Sequence, residues 1–217
     1  MIKAVIFDMD GVLSDTQKVH AKVESIVLKE IGIELDPTEI TRKFAGVNDI
    51  EMFKSILKEN GFSKKLVKRL LRRKREMLLM ELKRGADLIP GVIKVLKFLR
   101  KRRIPIGVAS SSERKIIEIV LCSTGVKKFV DVVVGGDEVE KGKPDPEIFI
   151  KACEKLNVEP SSCVVIEDGK AGIIAAKRAR MLVIGFGSYA RGIADYFCSN
   201  MDDVLKVLKT LLREKNI

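Results

Sequence analysis

The sequence predicts an α/β fold: a doubly wound parallel sheet with an inserted α-helical cap domain. Three observations carry that expectation. A short apolar strand pattern stands at the start of the chain, a mainly helical stretch follows it, and beyond residue 85 strand and helix patterns alternate. Strands joined through helices are parallel, and a parallel sheet of this kind has helices on both faces. The first strand must then rejoin partners from which the helical stretch separates it. The expected division is a core of residues 1–14 and 86–217 and a helical domain of residues 15–85.

Lys3 to Phe7, with Ala4, Val5, Ile6 and Phe7 consecutive, reads as a strand buried on both faces. From Thr16 to Ile31 the apolar residues Val19, Val23, Ile26, Val27 and Ile31 recur at spacings of three and four, a helix that Gly32 can end. Asp15 and Thr16 suit its start. Asp36-Pro37 begins a turn or helix, and Ile50–Glu59 and Leu66–Leu82 read as helices. In the last of these, Leu66, Leu70, Leu71, Met77, Leu78 and Leu82 form an apolar stripe, and Arg72, Arg73, Lys74 and Arg75 are expected on the other, wet face. Strands follow at Ile104–Ala109, Val130–Val134, Cys163–Ile166 and Leu182–Gly185, and helices at Ser112–Ser123, Pro146–Leu156, Ala171–Ala179 and Met201–Leu212.

Composition excludes several classes of function. With 46% apolar residues in 217, the chain can bury a sizeable core. The four cysteines are scattered without a C-x-x-C pair, which makes a poor disulfide framework and fits free thiols in a reducing cytoplasm. A single histidine rules out a His-rich metal site or a two-histidine mechanism. No signal segment or membrane span is legible, since Asp8 and Asp10 break the first apolar run and Pro90, Gly91 and Lys94 interrupt the next. The net charge of +11 is spread along the chain with a local excess at 64–75, and nine Phe, two Tyr and no Trp offer little for stacking on bases. A solvated basic surface is therefore favoured over a nucleic-acid partner. A single Gln amid many Lys, Arg and Glu matches the composition of heat-adapted proteins.

In open parallel sheets, ligands bind beyond the carboxyl ends of the strands. At those ends stand Asp8 and Asp10, then Ser110, Ser111 and Ser112, then Gly135, Gly136 and Asp137 followed by Lys141 and Lys143, and finally Glu167, Asp168 and Gly169. Carboxylates crowded on one rim repel and call for a cation. Hard oxygen donors favour Mg2+ over zinc.

The segments D-M-D-G-V-L-S-D-T, V-A-S-S-S, K-G-K-P-D-P-E-I-F and V-V-I-E-D-G-K-A-G-I, in that order, resemble the four motifs of the haloacid dehalogenase (HAD) superfamily. The branch they resemble most is that of β-phosphoglucomutase and phosphoglycolate phosphatase, whose helical cap follows the first motif. The resemblance implies Asp8 as nucleophile, Asp10 as general acid and then base, and Ser110, Ser111 and Lys143 as phosphate-binding residues. It implies Mg2+ held by Asp8, Asp10 (through its backbone carbonyl), Asp168 and Glu167. Asp145 is read as a helix-start residue rather than a ligand. Gly11 lets the chain turn away from the site.

The cap's candidate substrate contacts are His20, Glu24, Arg42 and Gly46. In β-phosphoglucomutase-like sequences a lysine precedes that glycine and an arginine follows shortly after, whereas this chain has Ala45 and Asp49. A mutase must grip a second phosphate, so these replacements argue for a phosphatase acting on a small phosphorylated metabolite. The implied enzyme is a Mg2+-dependent, cytoplasmic, monomeric phosphatase forming an aspartyl-phosphate. A sugar phosphomutase is the alternative. A binder of nucleic acid or an anionic surface, motivated by 64–75, stands behind both, because every catalytic position of the motifs is filled.

Overall fold

The structure is a computed structural model that describes residues 2–44, 47, 49–187 and 190–212. The chain divides into two compact units, residues 1–15 with 87–217 and residues 16–86.

The first unit is built on a six-stranded parallel sheet in the order β3-β2-β1-β4-β5-β6. The strands are β1 (Ala4–Phe7), β2 (Ile106–Ala109), β3 (Val132–Val134), β4 (Cys163–Glu167), β5 (Leu182–Phe186) and β6 (Tyr196–Cys198). β1 is central. Phe7 is level with Val108 of β2 and Ile166 of β4, so the three strands end side by side. The chain runs outward from β1 through β2 to β3, then returns to the other side of β1 as β4. The strand order thus reverses at β1, which opens a crevice beyond its carboxyl end. Every residue of β1, β2 and β4 is buried, as apolar strands covered on both faces require.

Helices that join parallel strands cover both faces of the sheet. Helices α7 (Glu147–Leu156) and α8 (Lys170–Arg178) carry the chain back and pack Phe149, Ala152, Ile173 and Ala176 against Ala4, Ile6, Val165 and Val183. The alternate residues Val5, Phe7, Val164 and Ile166 are equally buried on the opposite face, the side of α5 (Val92–Lys101) and α6 (Arg114–Ser123). Helix α9 (Met201–Leu211) packs against α5, and Asn200 caps it by accepting from the Asp203 N–H at 2.9 Å.

Three elements depart from the expectations above. β6 was not foreseen: its Tyr196 and Phe197 are each 38% exposed, so this edge strand lacks the apolar run that marks a buried one. Helix α5 lies in a stretch to which no element is assigned above, although Val92, Val95, Leu96 and Leu99 are buried at helical spacing. Helix α6 begins two residues later than expected, because Ser110 to Glu113 are used in a loop at the end of β2.

The second unit contains α1 (Thr16–Lys29), α2 (Pro37–Phe44), α3 (Asp49–Glu59) and α4 (Val67–Arg84). Its core draws Val23, Val27 and Leu28 from α1, Phe53 and Leu57 from α3, and Leu70, Leu78 and Leu82 from α4. The buried stripe of α4 is Val67, Leu70, Lys74, Leu78 and Leu82. Lys74 therefore does not lie on the wet basic face. The spacing 70, 74, 78, 82 keeps it in the apolar stripe, and the fold accommodates it with acids. Its Nζ lies 2.5 Å from Glu24 of α1 and 2.6 Å from Asp49 of α3, with the Lys74 side chain only 3% exposed. Three helices are tied at one ammonium. Arg73 pairs with Glu30 at 2.9 Å, while Lys68, Arg69, Arg72 and Arg75 remain exposed. No described helix is long and apolar enough to cross a membrane.

Removing one partner of a buried pair leaves the other charged and unsatisfied. Lys74→Met should destabilise the protein by roughly 3–5 kcal/mol in urea unfolding, and adding Glu24→Leu to it should recover most of that loss. Equal stability of wild type and the single variant would show that the ammonium carries no structural weight.

Candidate active site

The predicted acids and serines of the sheet unit follow from where their strands stop. Asp8 is the first residue beyond β1, and its N–H donates to the Ile166 carbonyl at 2.9 Å, extending the ladder by one rung. The side chain stays buried, at 5% exposure, where the apolar strand ends. Immediately beyond, the chain coils: Gly11 has φ +82° and donates to the Ser14 carbonyl at 2.8 Å, while the Met9 carbonyl accepts from Leu13 and Ser14 at 2.9 and 3.1 Å. A side chain at that φ would be strained, which accounts for glycine between the acids and the helix. Ser14 and Asp15 then run beside Asp87 and Leu88, held by the Ser14 hydroxyl and the Asp15 N–H on the Asp87 carbonyl at 2.7 and 2.9 Å.

Lys143 reaches the site from the loop between β3 and α7. Its Nζ donates to Asp8 Oδ1 at 2.6 Å, to Glu167 Oε2 at 2.8 Å and to the Ala109 carbonyl at 3.2 Å. Three acceptors match the three protons of an ammonium. The Phe149 ring lies 5.0 Å away, within cation–π range. Burial works against the charge, but the carboxylates of Asp8 and Glu167 outweigh it and hold Lys143 above the usual lysine range.

Glu167 ends β4 at 3% exposure, and its Oε1 accepts from the Gly169 N–H at 3.0 Å. Gly172, in the first turn of α8, leaves room for the carboxylate: a Cβ there would stand 2.1 Å from the Glu167 Cδ. Asp168 follows, so that Asp8, Glu167 and Asp168 each offer an oxygen within 4.8 Å of the others. Burial, and then the Glu167 charge, push Asp8 well above its ordinary value and Asp168 up to about 7. One ammonium cannot offset this many acids. A donor set of clustered carboxylate oxygens with surplus negative charge fits a hard divalent cation such as Mg2+.

Asp10 is placed beside this cluster and is held differently. Its Oδ2 accepts from the hydroxyls of Ser110 at 2.9 Å and Ser112 at 3.1 Å, and the Ser112 N–H in turn donates to the Ser110 oxygen at 3.1 Å. Ser110 is wholly buried and Ser111 is exposed. The link between Ser112 and Asp10 was not anticipated: the run of three serines signals hydroxyls at a strand end, but which of them turns inward depends on the loop. The roles of the Ala109 carbonyl and Gly169 N–H are equally invisible to side-chain reasoning. Asp145 acts at a helix start, its Oδ1 accepting from the Glu147 N–H at 3.1 Å.

In the helical unit, His20 lies partly buried on α1, and Arg42 is exposed on α2. Glu24 is buried against Lys74. Gly46 and Ala45 lie outside the described residues.

Comparisons with known proteins bear on the family and the fold. Residues 5–186 match the family of haloacid dehalogenase-like hydrolases. The β-phosphoglucomutase of Bacillus subtilis (strain 168) is 36% identical over 195 residues, which cover 86% of this chain and 84% of that protein. A phosphorylated carbohydrates phosphatase of Thermotoga maritima is 35% identical over 181 residues, 82% of each chain. Among solved structures, a β-phosphoglucomutase from Clostridium difficile matches with a TM-score of 0.80 at 28% identity, covering 98% of this chain and 100% of that one. This chain belongs to the haloacid dehalogenase-like hydrolase family.

Proposed function

We propose that the protein is a Mg2+-dependent phosphatase that hydrolyses a small phosphorylated metabolite, a sugar phosphate, through an aspartyl-phosphate, working as a cytoplasmic monomer. The observation that carries this reading is the buried Asp8 carboxylate, held by Lys143 at 2.6 Å and gathered with Glu167 and Asp168. Such a group is placed to attack an electrophile that brings negative charge, provided cations meet that charge. The core is residues 1–14 and 86–217, and residues 15–85 serve as its cap, selecting the leaving group and excluding water.

Asp8, the Asp10 backbone carbonyl, Asp168 and Glu167 would hold the Mg2+, which when bound supplies positive charge to the phosphoryl oxygens. Asp8 attacks phosphorus while Lys143 neutralises the transferring group and Ser110, Ser111 and loop N–H groups hold its oxygens. Asp10 donates a proton to the departing sugar oxygen. The Ser112 hydroxyl on Oδ2 supports Oδ1 as the oxygen that carries that proton. Asp10 then takes a proton from the water that hydrolyses the aspartyl-phosphate, which restores both carboxyl groups.

Relatives named β-phosphoglucomutase favour a second reading, a sugar phosphomutase. A mutase needs cations in the cap for a second phosphate. Here Ala45 and Asp49 stand where related mutases have a lysine and an arginine, and Asp49 is committed to Lys74 at 2.6 Å. Relatives named phosphatases of a phosphorylated carbohydrate and of glycerol 3-phosphate support the hydrolytic reading.

Asp8→Asn should keep the native fold and lower phosphate release by roughly 10^4-fold or more, and a chelator should silence the wild type until Mg2+ is restored. Undiminished turnover in that variant would remove the mechanism. With glucose 1-phosphate, inorganic phosphate should accumulate; conversion to the 6-phosphate with little free phosphate would identify a mutase. Gly172→Ala, which forces the Glu167 carboxylate to move, should raise the Mg2+ concentration for half-maximal activity by about 10–100-fold. An unchanged Mg2+ requirement would remove Glu167 from the metal site.

A further inference from the structure

The four cysteines fall into different settings. Cys122 is exposed, while Cys153, Cys163 and Cys198 are buried. Two of the buried thiols meet. Cys153 Sγ, on α7, lies 3.1 Å from Cys163 Sγ, on the first residue of β4. Cys163 Sγ also approaches the Glu159 carbonyl at 3.5 Å. Both cysteines are at most 1% exposed, within the apolar cluster between α7, α8 and the sheet. No step of the proposed reaction uses them. As small apolar residues, two cysteines could fill this core separately, but that does not account for their sulfurs being turned onto each other.

We propose that Cys153 and Cys163 form a redox-active dithiol that hydrogen peroxide converts to an intramolecular disulfide, fastening α7 to the root of β4. Peroxide is small enough to enter where a protein oxidant cannot. In the segment that connects the two cysteines, Asn157, Glu159 and Ser161 are exposed. Either sulfur can donate to the other, so a thiolate formed at Cys163 is steadied by the Cys153 S–H. The Cys163 thiolate attacks one peroxide oxygen, and the O–O bond breaks to give a sulfenic acid and, after protonation, water. Cys153 sulfur then attacks the Cys163 sulfur, the S–O bond breaks, and a second water leaves with the remaining proton. In sum, two thiols lose two protons and two electrons, and one peroxide becomes two waters. A thiol reductant reverses the change by exchange.

The bond would constrain the unfolded chain, which is the larger part of how such links stabilise. It would also stiffen the strand whose other end presents Glu167 and Asp168, without touching either.

The test uses the full chain carrying Cys122→Ser, so that no exposed thiol pairs between molecules. The folded protein is treated with hydrogen peroxide, unfolded, alkylated and digested with trypsin. Lys155 separates the two cysteines, so a disulfide joins the peptides 152–155 and 156–170 with a mass about 2 Da below the sum of the reduced pair. We expect that species, its loss on reduction, and a rise in Tm of about 5–10 °C on oxidation. Cys153→Ser, or Cys153→Ala if the serine variant does not fold, should abolish both the linked peptides and the Tm shift. Full alkylation of both cysteines after peroxide treatment would overturn the proposal. So would sulfinic acid at either one in place of the link, or a Tm shift that persists without Cys153.

Discussion

A surplus of negative charge at the carboxyl end of the central strands is the constraint around which this sheet unit is arranged. Asp8, Asp10, Glu167 and Asp168 stand there against one buried ammonium. A parallel sheet makes this crowding unavoidable. Neighbouring strands stop at one level, so acids placed just beyond β1 and β4 become neighbours in space. Bringing carboxylates together in a buried place is unfavourable unless hydrogen bonds and cations meet them. The surrounding loops supply those partners. Lys143 spans Asp8 and Glu167, Gly169 offers its N–H, Gly172 withholds a side chain, and Ser110 and Ser112 turn their hydroxyls to Asp10. What is left unmet is charge, and the divalent cation and phosphoryl group of the proposed reaction would answer to that surplus.

The helical unit contains a second buried lysine between two acids, and the contrast is instructive. Lys74 joins Glu24 and Asp49 from three different helices, and only Asp49 reaches solvent, at 44% side-chain exposure. Among the described residues, no group of three carboxylates gathers around it as one does around Lys143. The same residue types thus serve cohesion in one unit and the proposed chemistry in the other. The difference lies in the number of acids per ammonium and in the strand ends that present them.

Much of the fold was legible in single stretches of chain. β1, β2, β4 and β5 are continuous apolar runs, and a run of four or five such residues bounded by polar ones has few other uses. β6 escaped because its Tyr196 and Phe197 line an edge, where pairing with β5 rather than burial makes the strand. Lys74 was assigned to the wet face because a run of four basic residues reads as one surface. On a helix, successive residues turn by about 100°, so a run of four must visit every side. The fourfold spacing from Leu70 to Leu82 was the better guide.

The sequence by itself determined which chemical groups stand at strand ends, because strand termini and acidic motifs are both local in the chain. Asp8, Asp10, Glu167, Asp168 and Lys143 could all be named from it, and the family follows from their order. Tertiary structure alone decided which oxygen meets which donor: Lys143 on Asp8 across 135 residues, Ser112 on Asp10 across 102. It also turned Cys153 and Cys163, ten residues apart with no motif between them, sulfur to sulfur. These pairings depend on the level at which strands end and the direction in which loops and helices leave them. Those are properties of the packed sheet, and no stretch of sequence contains them.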